Sequence, residues 1–256
     1  MQDYTKPALT IEEQIRLLKS RGLLFYNEDN ARKAVKQINY YRLSAYCIPF
    51  ETRRHQFEKD VSFEDVLGLY EFDRCLRFLI DEALEVIEIS LRAQISYYLA
   101  RKYGAFSHEE QKNFFISRKF NYSEWLNKVH EEIRRSNEIF IKHYKNKYND
   151  FPVIPIWMAV EVMSFGSLSV IYHNLKRPDQ KAVAAEYCLH YRVLASWLHT
   201  FTYIRNICAH HSRLWNKELS IAMEVPKKEE WKQVKAKRIA SVLYAIIYML
   251  KKVIYD

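Results

Sequence analysis

Glycine constrains this chain more than any other residue type, because there is so little of it. Only Gly22, Gly68, Gly104 and Gly166 occur in 256 residues, each at least 36 positions from the next. Average usage would place about 18 in such a length. Phosphate loops of the G-x-G-x-x-G and G-x-x-x-x-G-K-[ST] types need clustered glycines so that backbone can wrap a phosphate, so both are excluded. Hairpin-rich β folds are disfavoured too, since their tight turns need residues at positive φ. The prolines number six, and none lies between Pro49 and Pro152. An all-α chain of long helices is expected.

Other totals narrow the class. A mass of 30.9 kDa is enough for one large or two small domains with a proper core. Half of the residues are hydrophobic (49%) and 28% are charged, as in a water-soluble globular chain. The longest apolar run, Ala240 to Leu250, is too short to span a bilayer, so no membrane partner is expected. The N-terminal residues lack the apolar stretch of a signal peptide. Cys47, Cys75, Cys188 and Cys208 are scattered, with no C-x-x-C, which indicates neither a disulfide framework nor a zinc ribbon. A cytoplasmic location with reduced thiols follows as the expectation. The formal net charge of +9 favours polyanionic partners such as nucleic acid, or an anionic membrane surface. Nineteen tyrosines add stacking surface for unpaired bases, although most rings should serve the core.

Thr10-Ile-Glu-Glu13 is a capping box, and Gly22 lies just past the helix it opens. A second helix is expected over Glu28–Ile38, then a segment from Asn39 to Tyr46 ending near Pro49. Residues 50–61 read as a polar connection or arm with some strand character. Ser62-Phe-Glu-Asp65 caps a helix of roughly 40 residues that Gly104 ends. Its buried stripe is expected to be Leu69, Phe72, Leu76, Leu79, Ala83, Val86, Ser90, Ala93 and Tyr97. Ser107-His-Glu-Glu110 opens a short helix, and one polar helix should run from Ser123 to Tyr148. Pro152 and Pro155 hold an extended break. Helices follow near 156–164, 167–175, 179–189 and from Tyr191 onward, and a last one from Glu229 to Tyr255. No boundary forces two domains, so a single all-α domain is expected, with residues 1–60 as a helical extension packed on a core of 61–256.

Chemistry enters on the helix from Tyr191. Leu194, Trp197, Leu198, Phe201 and Cys208 share one face, and at ~100° per residue Arg205 falls near its centre. A guanidinium in an apolar stripe is costly unless it is paired or faces a partner. His210 follows five positions later, ~140° round a regular helix. The two converge only if the helix ends within the motif or two copies meet across a dimer. Arginine with histidine suits metal-free RNA cleavage: histidine moves a proton near neutral pH, and arginine stabilises charge on the phosphorane. RNA supplies its own nucleophile. An isolated Arg-x4-His is weak as a signal; its place on the apolar stripe strengthens it.

The run Arg205-Asn206-Ile-Cys-Ala-His210 resembles the R-x(4–6)-H motif of HEPN ribonucleases, including the polar residue after the arginine. The longer string from Tyr203 to Trp215 resembles the signature of the Abi-D/Abi-F abortive-infection family. Three further segments are similar in the same order: Ile38–Tyr46 with Pro49-Phe50, Tyr70–Asp73 through Glu88–Arg92, and Pro155–Glu161 with Ser164–Leu168. Asn39 departs where glycine is common, and Cys47 where an aromatic is usual. The resemblance implies a HEPN-like helical bundle with additional N-terminal and C-terminal helices, antiphage or toxin-like action, and metal-independent endoribonuclease chemistry at a composite homodimer site. By motif match, Arg205 and His210 are the catalytic pair and Asn206 a supporting polar group. RNA is the implied substrate or regulatory partner, an antitoxin a further one, and no cofactor is implied.

Other residues have competing readings. Glu161, inside an apolar stretch, pairs either with Arg205 or structurally with Arg92 or another basic group. His211 assists at the site or serves packing or capping. Cys208, His210 and His211 lack a fourth ligand at zinc spacing, so no metal site is expected. Tyr40, Tyr41 and Arg42 clamp RNA or pack. The basic set Arg134, Arg135, Lys142, Lys145 and Lys147 reads as a solvated face. Lys227, Lys228, Lys232, Lys235, Lys237 and Arg238 are the better candidates for phosphate contact. Three function classes remain: an endoribonuclease, a non-catalytic RNA-binding protein acting through RNA or a protein partner, and a helical interaction module.

Overall fold

The computed structural model describes residues 3, 5 and 7–254, and for Glu229 the backbone alone. The fold is all-α, as the glycine spacing implies: eleven α-helices and one two-stranded sheet among the described residues. The chain divides into two compact units, Met1–Phe78 and Leu79–Asp256.

The first unit holds α1 (Ile11–Ser20), α2 (Glu28–Ile38), α3 (Tyr40–Cys47), the hairpin β1 (Glu51–Arg53) and β2 (Gln56–Phe57), and the start of α4 (Phe63–Tyr103). Local sequence dictates these boundaries. The Thr10 hydroxyl accepts from the Glu13 N–H at 3.3 Å while the Glu13 carboxylate takes the Thr10 N–H at 2.7 Å. Gly22, at φ +94, completes a helix-ending motif in which the Gly22 and Leu23 N–H groups donate to the carbonyls of Lys19 and Leu18. Asn39 sits at φ +75 between α2 and α3, a conformation that glycine takes without strain. Its side chain compensates by accepting the Tyr41 N–H at 2.8 Å. Leu18, Leu23, Val35, Leu43, Phe57 and Phe63 fill the core.

Beneath that core lies an ionic triad. Asp73 is fully buried, and Arg77 (2.5 Å) and the Tyr46 hydroxyl (2.7 Å) both donate to it. Burial first, then the Asp73 carboxylate, pushes the Tyr46 phenol up to about 12.

α4 is 41 residues long, capped by Ser62 with Asp65 and ended at Gly104, φ +91. Its buried stripe is not the expected one. Asp73, Arg77, Ile80, Leu84, Ile87, Leu91, Ile95 and Leu99 are buried, whereas Phe72, Leu79, Val86, Ala93 and Tyr97 are exposed and Leu69, Leu76, Ala83 and Ser90 half-buried. The helix is apolar on more than one side, so periodicity alone offers two stripes roughly a third of a turn apart. Two charges interrupt the stripe that is buried, and they become tolerable there because they pair.

The second unit contains the rest of α4 with α5 (Tyr122–Arg135), α6 (Ile139–Lys147), α7 (Ile156–Val162), α8 (Phe165–His173), α9 (Arg177–Ala185), α10 (Tyr191–Ala209) and α11 (Ile239–Val253). α10 packs on α8, α9 and α11. The Ser107 segment forms two 3-10 turns rather than a helix, and the Ser123–Tyr148 stretch is two helices, interrupted at Ser136–Glu138 where the Ser136 N–H closes on Ile133. The last helix starts at Ile239, not Glu229; Tyr255, its expected end, lies outside the described residues. The reason is visible in Trp231. Its buried ring packs 5.3 Å from Trp197 and 4.5 Å from Tyr244, which turns the basic run that follows into an irregular segment. That run is tied by the Leu219 and Met223 N–H groups donating to the carbonyls of Lys237 and Ala236.

Candidate functional site

α10 ends inside the Arg205–His210 motif. Its last helical residue is Ala209 and His210 is the C-cap. The His211 N–H donates to Cys208 O at 2.9 Å and the Ser212 N–H to Ile207 O at 3.0 Å. This is the stop seen at Gly22, but built with His211 at φ +53 where glycine usually stands. Holding a side chain in that left-handed region costs about 1–2 kcal/mol. The backbone of His211 thus caps α10.

Arg205 is half-buried at the edge of the α10 stripe, not at its centre. Val193, Thr200, Ile204 and Ile207 are buried as well as the expected residues, and they shift the middle of the stripe away from it. Asn206, His210 and His211 are exposed.

Arg205 faces a pocket of ≈ 360 Å³ lined by Asp81, Glu85, Glu88, Ile89, Arg92 and Glu161. Arg92 is spent on structure: it pairs with Glu88 and donates to the carbonyls of Val160 and Met163 at the end of α7. Glu161 is exposed rather than inside a buried stretch, because the inward face of α7 is taken by Ile156, Ala159 and Val160. The Glu161 side chain forms an ion pair with neither Arg205 nor Arg92 among the described residues, although all three line one pocket. The Arg205 side chain likewise has no hydrogen bond or ion pair among them. Once Arg92 and Glu88 cancel, Arg205 stands among three carboxylates.

The structure thus gathers Arg205 with Glu161. His210, Asn206 and His211 do not line that pocket, nor do the basic candidates. Lys227, Lys228, Lys232, Lys235, Lys237 and Arg238 are all exposed on the segment before α11. Lys228 lies 5.8 Å over the Tyr248 ring, and Lys237 is 3.9 Å from Glu218. Tyr40 packs, its hydroxyl accepting from Arg21 at 3.0 Å, while Tyr41 is exposed. No group of three or more His, Cys, Asp or Glu is placed to hold a metal among the described residues, and no helix there is long and apolar enough to cross a membrane. Cys47, Cys75, Cys188 and Cys208 form no disulfide with one another.

Two polar centres had no sequence signal beyond ordinary charge. Buried Asp179 accepts from the hydroxyls of Tyr98 (2.9 Å) and Tyr103 (2.7 Å) and pairs with Lys102. Glu109 lies between His130 at 2.9 Å and His108 at 3.3 Å. Burial pushes its carboxyl up, but the two imidazoles outweigh this and hold it below the usual carboxylate range. Asp179 and His130 lie too far in sequence from their partners for spacing to show them.

The four segments singled out in the sequence now have structural roles. Tyr46 and Asp73 meet in the triad of the first unit. Arg92 binds the end of α7, and Ser164 caps α8 through the Ser167 N–H at 3.2 Å. Comparison with curated proteins and with solved structures gives no match. The profile of the Abi-like protein family matches residues 33–216, which include all four segments and the Arg205–His210 motif. On that match over most of its length, the chain belongs to the Abi-like family of abortive-infection proteins.

Proposed function

We propose that this abortive-infection protein is a metal-independent endoribonuclease of the HEPN kind, with Arg205 and His210 as its catalytic pair. The observation that carries the reading is a half-buried arginine with no side-chain partner among the described residues, placed five positions before a histidine where its helix stops. An unpaired guanidinium at the rim of a core is poorly explained by stability alone.

In this reading the 2′-hydroxyl of RNA attacks the adjacent phosphorus. The 2′-O–P bond forms as the P–O5′ bond breaks, leaving a 2′,3′-cyclic phosphate and a 5′-hydroxyl. His210 takes the 2′ proton or delivers one to the departing oxygen, and Arg205 stabilises the charge on the phosphorane. One imidazole serves one of these transfers, so two copies that pool their Arg205 and His210 residues supply both. The exposed apolar stripe of α4 in the second unit (Leu79, Val86, Ala93 and Tyr97) offers a surface for such a homodimer. Asn206, exposed beside Arg205, orients the pair, and the basic run Lys227–Arg238 holds the RNA backbone.

Purified protein is expected to cleave RNA in EDTA, and Arg205→Ala and His210→Ala to abolish cleavage. Equal cleavage by those variants overturns the assignment. A second reading is favoured by Asp81, Glu85 and Glu161, whose charge repels an incoming phosphate from Arg205. It is a non-catalytic protein acting through a bound RNA or a protein partner such as an antitoxin. Salt-sensitive RNA binding with no cleavage products, by wild type and variants alike, selects it.

A further inference from the structure

A further cleft in the second unit is separate from the Arg205 pocket and shares no lining residue with it. It measures ≈ 920 Å³, the upper range of small-molecule sites, and lies along α8 and the first half of α10. From its geometry we propose that this cleft binds a phosphorylated nucleoside, its phosphate on Arg177 and Arg192 and its base against Phe115.

The cationic half is built around one ring. The guanidinium of Arg177 stands 5.9 Å from the Tyr191 centroid and that of Arg192 5.8 Å, and Arg192 Nε donates to the Tyr191 hydroxyl at 3.2 Å. One aromatic therefore holds two like charges close together, which cation–π attraction permits. Neither guanidinium has an ion-pair partner among the described residues. His173 and His199 also line the cleft, and Glu224 is the one carboxylate in the lining. Paired guanidinium forks of this type match phosphate oxygens.

The other half is apolar and just as fixed. Phe115 is 63% exposed, yet its backbone is anchored, its N–H donating to Asn174 O at 2.8 Å while Phe114 bridges to Leu175. Val170 and Ala195 continue that surface. An aromatic ring left open to water but held by its main chain is a platform for a flat partner. A cleft lined by both an exposed aromatic ring and two cations calls for a ligand with a planar ring and a phosphate.

The nucleotide has two sources, free in solution or within an RNA strand. α10 connects the cleft to the motif: His199 lines the cleft and His210 lies eleven residues on, about 16 Å along the axis. The cleft does not depend on cleavage, so its test does not either. The 256-residue chain is titrated by calorimetry with AMP, GMP and a short oligoribonucleotide, with adenosine and inorganic phosphate as comparisons. Variants are Arg177→Gln with Arg192→Gln, Phe115→Ser and His210→Ala; the first three positions are exposed, and thermal melting checks that each variant folds.

Binding of either mononucleotide is expected to weaken about tenfold or more in the double arginine variant, and to survive His210→Ala. Tight AMP or GMP binding identifies a free nucleotide, whereas binding of the oligoribonucleotide alone, with the same variant dependence, identifies a strand. The proposal is overturned if none of the three binds or if affinity is unchanged in the arginine and Phe115 variants. Equal affinity for adenosine and AMP removes the phosphate contact, and equal affinity for inorganic phosphate and AMP removes the base contact; either result overturns it too.

Discussion

Two arginines line the same pocket with opposite roles, and replacing each by methionine separates structure from function. Arg92 and Glu88 side chains are each only 12% exposed, and Arg92 also satisfies two carbonyls at the end of α7. Arg92→Met keeps the aliphatic stem but strands a largely buried carboxylate, at about 3–5 kcal/mol. Arg205→Met removes a side chain with no partner among the described residues. What is lost is attraction to three carboxylates across a wet pocket, which screening limits to about 1 kcal/mol or less. For a unit of about 180 residues, each kcal/mol moves the Tm by roughly 2–4 °C. Arg92→Met should therefore melt about 6–20 °C below wild type, and Arg205→Met within about 4 °C of it. RNA cleavage should follow the reverse order, with Arg205→Met losing about 10²–10³-fold when assayed below its melting range. Calorimetry and a gel-based cleavage assay on the same preparations provide both readouts. An Arg205 variant as unstable as the Arg92 variant refutes the distinction between a spent and an available guanidinium.

Further outcomes follow from single features. Gly68 lies inside α4 without a positive φ, and an added Cβ meets nothing within 4 Å, so Gly68→Ala should stabilise by about 0.5–1 kcal/mol with cleavage unchanged. A rise near 4 °C by calorimetry fits separate melting of the first unit, and a smaller one fits melting with the rest. Burial raises the phenols of Tyr46 and Tyr187 to about 12, so the unfolded chain releases those protons first. Stability should hold below about pH 10 and fall as pH rises from there toward 12, and Tyr187→Phe should flatten that limb in urea unfolding. If Lys227, Lys228, Lys232, Lys235 and Arg238 touch RNA phosphates, each Lys→Ala should lower the slope of log K against log salt by about 0.7, measured by fluorescence anisotropy.

What was readable in the sequence was local. Capping boxes at Thr10 and Ser62 and the stops at Gly22 and Gly104 depend on neighbours within a few positions, and the helices begin and end there. The motif itself was also local, but its spacing left open whether α10 ends within it, and only the structure places the end at Ala209. Burial was less legible. α4 offers two apolar stripes, and the one that is buried carries Asp73 and Arg77, which look wrong for a core until Tyr46 is brought to them from 27 positions away. Glu161 sits between apolar neighbours in sequence but is exposed, since a short helix turns only one face inward. The basic run before α11 has a helical pattern in sequence, and nothing local announces that Trp231 is buried against Trp197.

The sequence by itself determined the helical class, most helix ends and the family to which the chain belongs, because each depends on residue types at short, fixed spacings. Only the tertiary structure decided which arginine is spent and which is available. Arg92 and Arg205 carry the same charge and both neighbour apolar residues, so composition cannot separate them. The difference arises where α7 ends: its last carbonyls come within reach of Arg92, and Glu88 completes the set one turn away. Arg205 is left facing the pocket.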